Sequence, residues 1–463
     1  MSRSQRHSAH RITATAATLV LAAVAPATAQ TQFPAVLAGH ALLPAASFVA
    51  APSDAPDSLK LPGKYTTPDG RRQDAPGSVP GTSFLSDRAA PRPTGLSLPF
   101  AAGQPVQGFS GIKTAKDGTF WVLTDNGFGN KRNSPDAMLM FHRVRVDWTR
   151  GAVDRLETIF LRDPDRVVPF HVVNEATPQR YLTGSDLDIE SMQPIGDAFY
   201  FGDEFGPYVI RTDRTGKVTG FWETTLDGKV LRSPDHFAVS TPATPGPFAV
   251  PVRRSRGYEG MAASPDGRFL YPLLEGPLWD DQAKTWESRN GREYLRILEF
   301  DVAQGRFSGR SWKYLLEVND NNIGDFNMID ATTGLIIERD NGEGDARLAC
   351  NGPARPDCFN VPARFKRVYK IDLSQPDADG FVRKIGFVDL LDIKDPESKA
   401  RIGSANGVFT FPFVTIENVD VVDADHIVVA NDNNLPFSSG RAIGKNDDNE
   451  FILLRVPELL RAR

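Results

Sequence analysis

The stretch Asp188–Gly206, DIESMQPIGDAFYFGDEFG, contains the pattern that the rest of the chain repeats. It opens with an acid among apolar residues, reverses at a Gly-Asp pair, and continues through an aromatic run into Asp203 and Glu204. Short apolar runs on both sides of such a pair predict a β-hairpin. A third strand, Tyr208–Asp213, follows directly. The stretch therefore predicts three antiparallel strands with acids at the open end of the hairpin.

The same pattern occurs five times along the chain. First strands begin around Ser110, Glu190, Glu259, Asn327 and Glu417. Each is followed by a turn and by a second strand that ends in polar residues, which are Asp125, Asn126, Asp203, Glu204, Glu275, Glu338, Arg339, Asp340, Asn341, Asn431 and Asp432. Repetition of a short antiparallel unit is typical of a β-propeller. We therefore predict an all-β chain folded as a β-propeller with five recognisable blade repeats.

The first 105 residues differ from the repeats. Residues 1–29 have the pattern of a secretory signal peptide, because three arginines precede a short apolar run that ends in small residues. We therefore expect an exported protein, periplasmic or secreted, in which residues 30–463 form a single propeller domain. Residues 30–105 include a long connection rich in Pro and Gly. We expect them either to close the ring with one strand or to build a sixth blade.

Charge and cysteine content exclude several classes of protein. Without the first 29 residues the chain has 50 basic and 58 acidic side chains, a net charge of −8, which disfavours nucleic-acid binding. No later stretch is apolar enough to cross a membrane. Cys350 and Cys358, the two cysteines, are expected to form a disulfide in an oxidising compartment. The histidines are scattered, so no zinc site is indicated.

The predicted topology brings the acids together. In an antiparallel blade, the start of the innermost strand and the end of the second strand lie at the same face. The acids at these positions would therefore surround one mouth of the central channel. Carboxylate and amide oxygens are ligands that Ca²⁺ prefers, and so many carboxylates would repel one another without a cation. We predict a calcium site with ligands among Glu190, Asp203, Glu204, Glu259, Glu275, Asp340, Glu417 and Asp432. The alternative is that these acids cap hairpins by accepting backbone hydrogen bonds.

Several segments resemble the phytase-like family, described as having the esterase-like activity of phytase. They are GFSGIKTAKDGTFWVLTDNGFGNKRNSPDAML, DIESM with FGDEFGPYV, GYEGMAASPDGRFLYPLLEG, and IENVDVV with VVANDNN. The resemblance covers roughly residues 33–460. It implies a propeller rich in Glu and Asp, and phosphoester hydrolysis akin to that of the calcium-dependent β-propeller phytases. A small phosphorylated substrate follows from the resemblance, whereas the calcium site is predicted from the residues themselves.

Metal-assisted hydrolysis assigns roles to particular side chains. Ca²⁺ at the mouth would offset charge on phosphate oxygens and activate water, and the candidate catalytic residues are Glu190, Asp203, Glu259 and Arg339. Other cations in or beside the mouth loops could bind phosphate, namely Lys131, Arg132, Arg253, Arg254 and Arg441. A calcium-dependent lactonase and a non-enzymatic, calcium-stabilised binding propeller fit the same pattern. A serine esterase is disfavoured, because Gly108-Phe-Ser110-Gly111 lacks the spacing of a nucleophile elbow.

Overall fold

The computed structural model describes residues 30–66, 71–75, 79–83, 92–125, 127–240 and 250–463. Strands dominate, and the described residues contain one α-helix, Pro457–Arg461, and two 3-10 helices, Asp57–Leu59 and Ala346–Leu348. Within this part of the chain, no helix is long and apolar enough to cross a membrane. The predicted signal peptide and Asn126 lie outside the described residues.

Five antiparallel groups of four main strands form the blades, and the strands of each blade are named from the innermost to the outermost. Blade 1 contains Phe109–Thr114, Phe120–Thr124, Met140–Asp147 and Ala152–Phe160. Blade 2 contains Ile189–Ile195, Ala198–Asp203, Tyr208–Asp213 and Val218–Glu223. Blade 3 contains Tyr258–Ala263, Phe269–Leu274, Arg292–Asp301 and Arg306–Leu315. Blade 4 contains Asn322–Met328, Thr333–Arg339, Lys366–Asp372 and Arg383–Asp389. Blade 5 contains Ile416–Val421, His426–Asn431, Asn449–Arg455 and Val36–Leu43. The outermost strands of blades 1 and 5 also touch in parallel at Ala152 and Leu42.

The innermost strands of the five blades form a closed ring. Each packs against the innermost strands of the two neighbouring blades, and the innermost strand of blade 5 returns to that of blade 1. The prediction of an all-β propeller with five blade repeats is therefore confirmed. Short strands decorate the blades, namely Thr31–Gln32, Phe48–Val49, Val79–Ser83, Arg92–Leu98, Gln104–Pro105, Thr225–Leu226, Lys229–Val230, Trp279–Asp280, Thr285–Trp286, Ser288–Arg289, Ile393–Lys394, Ser404–Ala405 and Val408–Phe409.

The N-terminal strand closes the ring. Val36–Leu43 pairs antiparallel with Asn449–Arg455, so the outermost strand of blade 5 comes from the opposite end of the chain. Thr31–Gln32 extends blade 4 by pairing in parallel with its outermost strand. Between residues 44 and 105, the described residues form two-stranded pairs and no further four-stranded sheet. Of the two expectations for residues 30–105, the structure therefore shows the closure strand.

Apolar and aromatic side chains fill the spaces between neighbouring blades. Between blades 1 and 2, for example, the rings of Phe141 and Phe199 lie 4.6 Å apart and belong to one buried cluster with Tyr208. Burial of each such side chain contributes about 1.5–3 kcal/mol. Because this packing holds the blades together, the polar residues at the strand ends are available for a site.

The connections on the two faces of the ring differ in length. Most connections on one face are tight turns, whereas the connections between the second and third strands lie on the other face, which we call the mouth face. Four of these are long, comprising residues 125–139, 275–291, 340–365 and 432–448. The third contains the predicted disulfide between Cys350 and Cys358, which the structure confirms.

Candidate functional site

A β-bulge interrupts the innermost strand of every blade near the mouth face. Each bulge is a shift in pairing with the second strand, and the first residues within the bulges are Ser110, Glu190, Glu259, Gly324 and Glu417. A bulged residue has no partner across the ladder, and the strand bends there, which re-aims its side chain. Three blades therefore present a glutamate from this position, and blade 4 presents glycine.

The end of each second strand supplies another set of side chains beside the bulges. The backbone N–H groups of Glu204 and Glu275 each donate, over 2.8 Å, to the carbonyl of the residue that precedes the innermost strand of the same blade. The residues at this position are Asp125, Glu204, Glu275, Arg339 and Asp432. The two sets line the mouth of the channel. We call them, together with Asp188, the mouth cluster.

Five carboxylates of blades 2 and 3 converge into two triads. Oxygen atoms of Asp188, Glu190 and Glu204 lie within 4.8 Å of one another, as do oxygen atoms of Glu204, Glu259 and Glu275. All five side chains are buried. Glu204 belongs to both triads, so its carboxylate lies between the two positions where a cation could bind.

Without a bound cation, the closely spaced carboxylates of the two triads repel one another when they are ionised. Burial, followed by the charge of Glu275, raises the pKa of Glu204 well above its usual range. Burial, followed by the charge of Glu417, does the same to the pKa of Glu259. Among the described residues, the Oε1 atoms of Glu204 and Glu259 find no hydrogen-bond donor, which costs about 1–3 kcal/mol for each buried oxygen. A hard divalent cation such as Ca²⁺ would relieve both the repulsion and the unsatisfied oxygens, so the donor set fits that ion.

Arg339 is a buried cation inside the mouth cluster. Its Nη2 atom lies 2.5 Å from Oε1 of Glu417 and 3.8 Å from Oε1 of Glu259. The second oxygen of Glu417 accepts a 2.9 Å hydrogen bond from the hydroxyl of Ser110. Burial alone would lower the pKa of Arg339, but Glu417 and Glu259 raise it above its usual value. The guanidinium therefore stays charged, and Glu417 serves as its counter-ion.

A second arginine, Arg256, lies at the rim. Its Nη1 atom is 2.5 Å from Oε2 of Glu275 and donates a 2.8 Å hydrogen bond to Oδ1 of Asn322. The carboxylate of Glu275, opposed by burial, raises the pKa of Arg256. Sequence reasoning missed Arg256 and Asp188, which lie three residues before Glu259 and two residues before Glu190. A charged residue within the two positions before an innermost strand is the signal that could have found them.

Comparison with protein families shows which family the chain belongs to. The profile of a family described as phytase-like, with the esterase-like activity of phytase, matches residues 104–435, which is more than half of the sequence. The chain belongs to the phytase-like family. The matched range contains the whole mouth cluster. The resemblance seen in the sequence is therefore confirmed.

This phytase-like protein is also similar, over part of its length or at low identity, to individual proteins and solved structures. An uncharacterized secreted protein of Arthroderma benhamiae is 29% identical over 150 residues, which are 28% of this chain and 26% of that relative. The chain thus matches about a quarter of the relative's length. A luciferin-regenerating enzyme is 10% identical with a TM-score of 0.33, covering 75% of this chain and 77% of its own. The periplasmic gluconolactonase of Pseudomonas aeruginosa is 11% identical with a TM-score of 0.30, covering 82% and 98%.

Asp203, which the sequence suggested as a ligand and a catalytic residue, faces the backbone in this phytase-like protein. Its Oδ1 accepts from the N–H of Asp188 over 2.8 Å, and its Oδ2 accepts from the N–H of Gly206 over 2.7 Å. Burial raises the pKa of Asp203 to about 8, against the effect of these two amides. Asp203 therefore fixes the turn that carries Asp188 and Glu204, as in the alternative interpretation of the acids as caps.

Asp340 lies outside the mouth cluster, contrary to the sequence expectation. Its Oδ2 accepts from the backbone N–H groups of Arg364 and Phe365 over 2.8 and 3.1 Å. Its Oδ1 lies 2.9 Å from Nζ of the buried Lys366. The carboxylate thus fastens the ends of the long disulfide-bearing loop to each other.

The sequence pattern predicts wrong positions for two further residues of blade 4. The pattern puts Asn327 beside Glu190 and Glu259, but the equivalent residue is Gly324, because the innermost strand of blade 4 begins at Asn322 and its bulge starts three residues before Asn327. Asn327 lies deeper in the channel, where its amide donates to the carbonyls of Ile112 and Val419.

Glu338 is the second of these residues, and the pattern predicts it at the mouth. Successive side chains of a strand point to opposite faces, so Arg339 reaches the mouth and Glu338 does not. Glu338 instead accepts a 2.8 Å hydrogen bond from the hydroxyl of Tyr314. The strand end therefore contributes a cation to the mouth and no carboxylate.

The remaining cations that the sequence suggested for phosphate binding have other partners. Arg441 pairs with Glu450 over 2.7 Å and Arg253 with Glu293 over 2.9 Å. Lys131, Arg132 and Arg254 lie farther out: Lys131 donates to the carbonyl of Asp235, Arg254 pairs with the Asp235 carboxylate, and Arg132 is exposed. Among the cations that the sequence singled out, Arg339 is therefore the one that the described contacts join to the mouth cluster.

Asp432 and Asp125 complete the mouth on the side of blades 5 and 1. Asp432 is buried, and burial followed by the charge of Glu417 raises its pKa well above the usual range. Oδ1 of Asp125 accepts a 2.7 Å hydrogen bond from the N–H of Gly127. Blades 5 and 1 lie between Arg339 of blade 4 and the first triad of blade 2, so these carboxylates complete the ring of polar residues.

Buried polar side chains join the blades below the mouth. Oδ2 of Asp325 in blade 4 accepts from the N–H groups of Ile112 in blade 1 and Val419 in blade 5, both over 3.2 Å. Gln193 of blade 2 donates a 2.8 Å hydrogen bond to Oδ1 of Asn327. The channel beneath the mouth cluster is therefore occupied by hydrogen-bonded side chains.

Proposed function

We propose that this phytase-like protein is a calcium-dependent phosphoester hydrolase whose active site is the mouth cluster. The observation that carries the proposal is the pair of buried carboxylate triads joined by Glu204, in which two oxygens lack a donor among the described residues. Membership of the phytase-like family supports a hydrolytic propeller. The phosphate ester as substrate is supported by the family's description and by the cations of the mouth.

The two triads are the proposed calcium ligands. Asp188, Glu190 and Glu204 would hold one ion, and Glu204, Glu259 and Glu275 a second. Bound calcium would supply positive charge against the phosphate oxygens and lower the pKa of a water molecule. Four acids that the sequence suggested are left out of this ligand set, and one of them, Asp432, accepts a hydrogen bond from the N–H of Asn434. The oxygens of Asp203 and Asp340 face backbone amides, and those of Glu417 face Arg339 and Ser110.

The protein's own contribution is placement and exclusion of water. Arg339 is held at the centre by Glu417, and its Nε atom has no acceptor among the described residues, so it can donate to a phosphate oxygen. Arg256, held by Glu275 and Asn322, would bind the substrate at the rim. Burial of the carboxylates strengthens each electrostatic interaction in the site.

We also propose that the protein is exported. Support comes from the signal-peptide pattern of residues 1–29 and from the disulfide between Cys350 and Cys358. A disulfide persists in oxidising compartments. Export is tested by expressing the full-length chain in a Gram-negative host and sequencing the N-terminus of the mature form, which should begin at Gln30.

The hydrolase proposal is tested with a phosphomonoester and a phosphodiester of p-nitrophenol, in calcium and in chelator. We expect hydrolysis in calcium and its loss in chelator. Glu259→Gln, nearly isosteric, should lower kcat by about 100-fold. The matched control is Glu299→Gln, a buried acid of the same blade that pairs with Arg310 and Ser308 away from the mouth, and it should retain activity.

Two other outcomes would replace the proposal. Opening of a lactone such as gluconolactone, with no release of p-nitrophenol from either phosphate ester, would favour a lactonase. If calcium raises the melting temperature and neither kind of substrate is cleaved, the propeller is a binding protein.

A further inference from the structure

A cavity of about 490 Å³ lies between blades 2 and 3 on the mouth face. Two small hairpins form its walls, one of Thr225–Leu226 with Lys229–Val230 and the other of Trp279–Asp280 with Thr285–Trp286. None of the mouth-cluster residues, all of which the structure describes, lines this cavity. We call it the hairpin pocket. Its volume falls within the range of about 300–1,000 Å³ that is usual for small-molecule sites.

The floor of the hairpin pocket is apolar. Leu226, Leu231 and Leu278 line it, and each also belongs to the buried apolar cluster between blades 2 and 3. Trp279 adds a half-buried indole to the wall. Its ring lies 5.2 Å from that of Trp286, edge to face, so the second tryptophan holds the first in position. The pocket therefore offers a ligand an aromatic surface that is already ordered before binding.

Polar side chains surround this apolar surface. Glu287 and Arg296 form a largely buried ion pair in which Nε of the arginine donates to Oε2 of the glutamate over 2.9 Å, and both line the pocket. The carboxylate of Asp227 has no hydrogen-bond or ion-pair partner among the described residues. Asp281 accepts a 3.1 Å hydrogen bond from the indole N–H of Trp279. Hydrogen-bond acceptors and a guanidinium donor thus lie around one aromatic ring.

The charge of the hairpin pocket selects against ionic ligands. Its lining contains more acidic than basic residues, with a net charge of −2 from Asp227, Asp280, Asp281, Glu287, Lys229 and Arg296. This charge repels phosphate and other anions. A cationic ligand would be attracted by the acids, but it would lie beside the positive charge of Arg296. A neutral ligand with several hydroxyl groups can donate to the carboxylates and accept from Arg296.

We infer that the hairpin pocket binds a neutral saccharide, with one sugar ring stacked on Trp279 and its hydroxyl groups bonded to Asp227, Glu287 and Arg296. A sugar ring combines the required features, because its C–H groups form apolar faces and its hydroxyl groups project from its edge. Burial of such a face against the indole removes apolar surface from water. The pocket contains none of the proposed calcium ligands, so the saccharide should bind in calcium and in chelator alike.

The experiment follows the indole N–H signals of the six tryptophans by NMR of the isotope-labelled mature protein in chelator. The probes are cellobiose, maltose and N,N′-diacetylchitobiose, each added at millimolar concentrations. The Trp279 signal, identified by its loss in Trp279→Phe, should shift and saturate with at least one of these disaccharides. The signal of Trp148, which follows the third strand of blade 1, should stay unchanged.

Two variants test the contacts of the saccharide. Trp279→Ala, followed at the Trp286 signal, should weaken binding at least about tenfold, because the stacking surface is lost. Asp227→Asn should weaken it about tenfold through the loss of a charged acceptor, and asparagine tolerates the left-handed backbone at this position, where φ is 51°. The matched control is Asp197→Asn, an exposed acid in another turn of blade 2, which should bind like the native protein.

Three outcomes would overturn the inference. The first is that no disaccharide shifts the Trp279 signal. The second is that putrescine or inorganic phosphate shifts this signal and no disaccharide does. The third is native affinity for the disaccharide in both Trp279→Ala and Asp227→Asn, which would place the saccharide elsewhere on the protein. Each of these outcomes leaves the proposed hydrolase function intact, because that function is measured in calcium with phosphate esters.

Discussion

Carboxylate oxygens of Glu204 and Glu259 lie within 4.8 Å of each other, although the two residues belong to different strands of different blades. Glu204 follows the second strand of blade 2, and Glu259 is the bulged residue of blade 3. Neighbouring blades therefore build the second triad together. The polar site depends on the closed ring, whereas the ring is held by apolar packing between blades.

Glu204→Gln should weaken both calcium sites, because Glu204 belongs to both triads. Glu190→Gln removes a ligand of one triad alone. We expect calorimetric titration to show calcium binding at both sites weakened by about 10–100-fold in the first variant and at one site in the second. Equal losses in the two variants would contradict a shared ligand. Glu299→Gln, outside the mouth, controls for the loss of a buried acid.

Asp203→Ala should destabilise the fold in the absence of calcium. The substitution leaves the N–H groups of Asp188 and Gly206 without their acceptor, which costs about 1–3 kcal/mol for each buried group. We expect a lower urea midpoint in chelator for this variant. Glu190→Gln should keep the native midpoint or raise it under the same condition, because it removes one of several mutually repelling carboxylates. If Asp203→Ala unfolds in chelator at the same urea concentration as the native protein, Asp203 does not fix the turn.

Glu450→Gln should change the dependence of stability on pH. Burial opposes the ionised form, but Arg441 and His40 outweigh it and lower the pKa of Glu450 to about 2. The pKa is lower in the folded than in the unfolded state, so the ionised group contributes stability above about pH 4.5. That contribution, about 3 kcal/mol, is lost as the pH falls towards 2. Urea unfolding of native protein and variant should therefore differ most at pH 7 and converge near pH 2–3.

The control for this comparison is Asp197→Asn, which removes an exposed acid paired with Arg214 at a turn on the opposite face. Its unfolding free energy should stay within about 0.5 kcal/mol of the native value at every pH. The difference in unfolding free energy between the native protein and Glu450→Gln should shrink as the pH falls. If it grows instead, Arg441 and His40 do not stabilise the ionised form of Glu450.

Deletion of residues 30–43 should open the ring of blades and lower the stability of the fold. The deletion removes the outermost strand of blade 5 and leaves the edge of Asn449–Arg455 without its partner. We expect a loss of more than about 5 kcal/mol, together with aggregation through the exposed edge, seen by size-exclusion chromatography. A peptide of residues 30–44 added in trans should restore the monomer peak. A soluble, cooperatively unfolding deletion variant would show that the closure strand is dispensable.

The sequence by itself determined the repeat, because the two strands and the turn of a hairpin are formed by residues that are close together in the chain. Alternating apolar residues, a Gly-containing turn and polar strand ends are local properties, so five blades, the mouth acids Glu190, Glu204, Glu259 and Glu275, and the disulfide could all be predicted. The fourth strand of each blade has a weaker pattern, because one of its sides faces outward. Its bounds came from the structure.

Tertiary structure alone decided which acids share a cation. A bulge changes the facing of every residue beyond it by one position. In blade 4 the bulge begins at Gly324, which lies at the mouth, whereas Asn327 lies beyond it, deeper in the channel. Whether a carboxylate meets a backbone amide or another carboxylate depends on chain segments far away in sequence. Asp203 and Glu204 are adjacent, yet one caps a turn and the other joins two triads. The pairing of Arg339 with Glu417 likewise exists only because the ring brings blades 4 and 5 together.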